Sequence, residues 1–109
     1  MTYRLVIQPT AAADIEQAYQ RIVSQAPETA KRWLDGLIDA VESLTTLPER
    51  CSIAPESNHF EREIRQLLYG RKGRTYRALF TIVEDKVHVL HFRHWAQRTM
   101  PAAEIRGPE

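Results

Sequence analysis

The chain contains one cysteine, Cys51, among its 109 residues. A lone thiol forms no internal disulfide, and no second ligand stands near it in sequence, so a reducing compartment, the cytosol, is expected. No apolar run approaches the roughly 20 residues of a membrane span. The opening "MTYRLVIQPT" lacks the apolar core of a signal peptide. There is no Walker loop, no GxGxxG after a strand, no GxSxG and no HExxH, and the acidic residues do not gather as a two-metal site. Nucleotide-cofactor, serine-hydrolase and zinc-protease chemistries are thereby set aside, and neither a cofactor nor a metal is expected. Internal repeats and low-complexity tracts are also missing.

What remains is an ordinary globular composition, 43% hydrophobic and 27% charged, in a chain of one-domain length. The net charge of +1 hides an asymmetry. Residues 1–58 carry 5 Lys+Arg against 8 Asp+Glu, whereas residues 59–109 carry 10 against 6. A basic C-terminal half suits an anionic partner for one face, or simply an Arg-rich solvated sheet.

Periodicity divides the chain. "YRLVIQ" (Tyr3–Gln8) reads as a strand closed by Pro9. Ile15, Ala18, Tyr19, Ile22 and Val23 recur at helical spacing, predicting a helix over 11–25 with Thr10 as its cap. Pro27 opens a second helix with the stripe Ala30, Trp33, Leu34, Leu37, Ile38, Val41 and Leu44, stopped by Pro48. Residues 48–60 read as loop. "EIRQLLY", "TYRALFTIV" and "VHVLHFRHW" then read as three strands joined by short turns, which dictates an antiparallel meander. The order β-α-α-β-β-β predicts an α+β fold, a helical hairpin packed on an antiparallel sheet. Residues 1–98 form the expected domain, and 99–109 a tail that is disordered or helical only with a partner.

Alternation along the middle strand places Tyr76, Ala78, Phe80 and Ile82 under the helices and Arg77 on the opposite, open face. Arg65 is expected to share that face, making an anion site of two guanidinium forks. If they instead pair with local acids, Glu63 and Glu84 are at hand. Arg71, Lys72 and Arg74 decorate a solvent-exposed turn. His88, His91 and His94 do not form a zinc site. On a regular strand 88 and 94 share a face about 20 Å apart, while 91 points the other way. Of His88 and His91, one is expected exposed and the other packed. His94 ends the strand beside Arg93, Trp95 and Arg98, where an imidazole can serve as acid or base. Arg, Lys and His on a sheet suit either metal-free RNA cleavage or plain binding of an anionic partner.

The strand, the helical hairpin, "IRQLLYGRKGRTYRALF" and "VHVLHFRH", with Tyr76-Arg77 and "RHWAQR" (Arg93–Arg98), resemble the RelE/ParE superfamily of bacterial toxins over about Tyr3–Arg98. The resemblance implies the toxin of a type II toxin–antitoxin pair, cytoplasmic, held as a hetero-oligomer by a cognate antitoxin and reaching operator DNA only through it. It also implies one of two targets: DNA gyrase, as for ParE-like members, or ribosome-bound mRNA, as for RelE-like nucleases. For a nuclease, Arg77, Arg98 (alternatively Arg93) and His94 would be catalytic. For a binding toxin, Arg65, Arg77, Arg93 and Arg98 would face target or antitoxin. A non-toxic module that keeps only antitoxin binding is the third reading. Arg65 is the only cation in "EIRQLLY", no tyrosine follows Tyr76, and the isoelectric point is only about 8.0. These departures from the nuclease pattern favour the ParE-like side.

Overall fold

The computed structural model describes residues 2–71 and 74–108. Lys72, expected in the exposed turn, lies outside them. The elements are β1 (Arg4–Ile7), α1 (Pro9–Gln25), α2 (Pro27–Glu42), β2 (Ser52–Ile53), β3 (Arg65–Tyr69), β4 (Tyr76–Val83) and β5 (Lys86–His94). Two helices pack on one five-stranded sheet of order β1-β5-β4-β3-β2. The α+β class and the helical hairpin stand as expected.

The sheet is mixed rather than wholly antiparallel, because β1 runs parallel to β5, Leu5 opposite Val87 and Ile7 opposite Val89. The hairpin is long enough to make this crossover, which a tight turn cannot. Pro9 does not merely end β1; it opens α1, where its missing N–H and fixed φ suit the first turn. Thr10 is therefore no cap, and its hydroxyl donates to the Leu90 carbonyl at 2.7 Å. The segment 48–60, read as loop, forms short 3-10 turns around the two-residue edge strand β2.

On the helix side of the sheet, Tyr76, Ala78 and Phe80 join Val87, Val89 and Phe92 against Ala18, Leu37 and Val41. Trp33 sets its ring edge-on to Tyr69, Tyr76 and Phe92. Gly36 permits that cluster: a Cβ there would collide with Tyr69 Oη, whose hydroxyl donates to the Trp33 carbonyl at 2.7 Å. Glycine is otherwise unfavourable inside a helix.

The opposite face, expected to be open, is covered. Ile64, Leu79 and Leu90 bury against Ala54, Met100 and Ile105, with Phe60 beside them. Residues 99–108 lie along this face with one 3-10 turn at Ala102–Glu104, neither an isolated helix nor a free tail. Among the described residues no helix is long and apolar enough to cross a membrane.

Candidate functional site

Cross-strand register settles which way each arginine faces. Arg65 is opposite Phe80, so it lies on the helix side at the sheet's rim, not beside Arg77. Its Nη1 donates to the carbonyls of Glu49 (3.0 Å) and Cys51 (2.6 Å), and its Nη2 pairs with Glu63 at 2.7 Å. Arg65 thus ties the 48–53 segment to β3. Pairing with Glu63 was one of the two alternatives, and here it holds.

Arg77 projects from the opposite face, as alternation requires, but it is only 4% exposed. Its guanidinium forks onto Glu56, Nη1 to Oε1 at 2.9 Å and Nη2 to Oε2 at 2.8 Å, and Nη1 also reaches Gln66 Oε1 at 3.1 Å. Glu56 is fully buried and accepts a third hydrogen bond from the Met100 N–H at 3.0 Å. Burial by itself would raise the Glu56 pKa. The hydrogen bonds from Arg77 and from backbone N–H groups outweigh it and bring the value to about 2. The carboxylate therefore stays charged, and Arg77 is neutralised by it. Sequence reading missed Glu56 because it stands in a loop 21 residues away, with only the unmatched Arg77 to signal that an acid must exist.

Arg93 is directly opposite Arg77 across β4 and β5. Burial lowers its pKa, and repulsion from Arg77 adds to this, although a guanidinium remains protonated at any ordinary pH. Its Nη2 donates to the Arg98 carbonyl at 2.9 Å, and among the described residues its buried Nε has no partner. Arg98 is exposed and pairs with Glu104 at 3.2 Å. The network of Arg77, Arg93, Arg98, Glu56 and Glu104 clamps the C-terminal segment to the sheet.

An extra residue in β5 changes the histidine geometry. Leu79 is opposite His91 but Phe80 is opposite Val89, so Leu90 is a bulge. Alternation is broken there, and His88 (opposite Thr81) and His94 (opposite Tyr76) end on different faces rather than one. Both His88 and His91 are buried, against the expectation that one is exposed. His88 Nδ1 lies 2.9 Å from the Gln8 amide nitrogen; burial lowers its pKa, with Lys86 and Arg62 adding to the effect. His91 Nε2 accepts the Arg106 N–H at 3.0 Å, and its Nδ1 is 3.5 Å from Asp14.

The predicted residues therefore do not converge. His94 sits edge-on to Tyr76, its Nδ1 accepting the Ala96 N–H. With Arg93 it lines a polar cleft of about 380 Å³ between α1, the end of β5 and the C-terminal segment. Arg77 opens instead onto a smaller cleft of about 150 Å³, walled by Pro55 and Trp95. Arg98 lines neither.

The chain matches the family model described as "ParE toxin of type II toxin-antitoxin system, parDE" over residues 5–99. Its fold is similar to a chain of the solved structure "Chromosomal ParDE TA system from P. aeruginosa", with a TM-score of 0.68 and 19% identity. That likeness covers 85% of this chain and 96% of the other. Among curated proteins there is no match.

Proposed function

We propose, because this chain belongs to the ParE toxin family of type II toxin–antitoxin systems, that it arrests growth by binding DNA gyrase rather than by cutting RNA. The observation that carries the reading is the state of Arg77. A nuclease needs a cation free to hold the scissile phosphate as charge develops on it. Arg77 is the residue whose position fits that role, and its fork is already filled by Glu56 inside the fold. His94, the candidate acid or base, opens onto a different cleft. Arg93 and Arg98 are engaged in holding the C-terminal segment. Geometry of this kind supports a protein that works by its surface.

In this reading the cognate antitoxin occupies the toxin in a cytoplasmic hetero-oligomer, and operator DNA is reached only through the antitoxin. The test is to induce the chain without antitoxin, map mRNA 5′ ends, and assay purified protein against gyrase supercoiling. Inhibited supercoiling or trapped cleavage complexes, with no new ends inside translated codons, is the expected result. New codon-internal ends with unimpaired gyrase would overturn it and make the chain a nuclease.

A further inference from the structure

The smaller cleft has a construction that neither the arginine clamp nor the core requires. Its most conspicuous wall is Trp95, 55% exposed. A single exposed aromatic is ordinary on a protein surface, but this one stands on a turn whose backbone is fixed by hydrogen bonds. The Trp95 N–H donates to the Thr75 carbonyl at 2.7 Å, and the Gln97 N–H to the His94 carbonyl at 3.0 Å. The His94 N–H donates to Gln97 Oε1 at 2.8 Å, and the Ala96 N–H to His94 Nδ1 at 3.0 Å. An indole presented this way loses little freedom when something stacks on it.

Pro55 lines the same space, which measures about 150 Å³, comparable to the volume of one base ring. Two amide side chains stand among the cleft's polar groups, with Arg77 and Thr99 beside them. Gln66 and Gln97 both line it, and each has its amide oxygen engaged, by Arg77 and by the His94 N–H respectively. Among the described residues each therefore has its Nε2 left as a donor without a partner. A ring carrying carbonyl acceptors, as uracil, thymine and guanine do, matches such a pair.

Charge extends the site along the surface. The Thr75 carbonyl that fixes Trp95 is adjacent in sequence to Arg74, and the β3–β4 turn also carries Arg71. Both are exposed, and among the described residues neither has an ion-pair partner. Arg98, three residues beyond Trp95, is by contrast paired with Glu104 at 3.2 Å. Two exposed cations on the turn that leads into the strand holding this aromatic platform fit a single-stranded phosphate backbone whose bases stack in turn.

We propose that Trp95, Pro55, Gln66 and Gln97 form a nucleobase slot, and that Arg71 and Arg74 track the backbone of a single-stranded nucleic acid bound there. The site binds without cutting. It goes beyond the gyrase reading and does not depend on it.

The probe is a fluorescently labelled dodecathymidylate titrated with the purified chain by anisotropy at several salt concentrations. Saturable binding is expected, weakening with salt at a log–log slope of about −1.4 for two phosphate contacts. Trp95→Ala is expected to weaken binding about tenfold. Arg71→Ala with Arg74→Ala should flatten the salt slope by about 1.4. All three positions are exposed, and circular dichroism of each variant checks that the fold is intact. Absence of binding at low salt, or wild-type affinity in Trp95→Ala, would overturn the slot. Thymidine monophosphate binding as tightly as the oligonucleotide would overturn the backbone track. Tighter binding of a glutamate-rich peptide than of the oligonucleotide would overturn the proposal in favour of an acidic protein partner.

Discussion

The two faces of this sheet are both buried, but by different means. The helix face is dry and aromatic: Trp33, Tyr76, Phe80 and Phe92 fill it, and their stability comes from area and shape. The opposite face has a smaller apolar cluster around Leu79, Leu90, Met100 and Ile105, and beside it a charged one around Arg77 and Glu56. Apolar packing tolerates gradual change, because each lost contact removes a little energy. A buried ion pair does not, because removing one partner strands the other charge. The second face is therefore the one that fails abruptly, where the first fails by degrees.

The largest effects should come from breaking each face at its centre. Glu56→Ala and Phe80→Ala are each expected to lower unfolding free energy by about 3–5 kcal/mol, measured by urea titration. They differ in rescue. Glu56→Leu combined with Arg77→Met should recover to within about 1 kcal/mol of the parent, since the pair's attraction mostly offsets its own desolvation. No second substitution at the ion pair should rescue Phe80→Ala. A Glu56→Ala loss below about 1 kcal/mol would show that the clamp is not what holds the second face.

Next in size is the strap. Ile105→Ala should cost about 2–3 kcal/mol by the same titration, because its side chain is buried against the second face. If the cost is near zero, residues 99–108 contribute nothing to stability and the second face is closed by the 54–64 segment alone.

Acid separates the faces further, since the buried ion pair lies on the second, whereas the Arg65–Glu63 pair on the helix side is partly exposed. The folded-state pKa of Glu56, about 2, lies below its ordinary 4.5, so the stability it provides is complete above roughly pH 5 and is lost as pH falls toward 2. His88 is also depressed, so its contribution begins to fall as pH drops through its ordinary 6.5. Urea midpoints measured from pH 8 to 2 should therefore show two losses, and the Leu/Met double variant should lack the lower one. A double variant that still weakens between pH 4.5 and 2 like the parent would place the acid sensitivity elsewhere.

Smaller still is Gly36→Ala. The added methyl must displace Tyr69 Oη, which outweighs the helix propensity gained, for a net loss of about 1 kcal/mol. Stabilisation instead would mean that Tyr69 swings aside freely. Arg98→Ala, whose pair with Glu104 is exposed, should change stability by no more than about 0.5 kcal/mol.

Sequence by itself determined what depends on local pattern. Helical spacing from Ile15 to Leu44 and alternation from Tyr76 to Ile82 specify the hairpin, the central strand and the side of it that Arg77 takes. Those signals are local because a helix repeats every 3.6 residues and a strand every two. The tertiary structure decided what depends on contacts between distant residues. It set the parallel pairing of β1, placed Arg65 on the helix side through its register with Phe80, and brought Glu56 to Arg77 from a loop. It also inserted Leu90 as a bulge, which put His88 and His94 on opposite faces. One extra residue inverts every later side chain of a strand, and an acid's partner is chosen by space rather than by spacing. Neither choice leaves a periodic mark in the sequence.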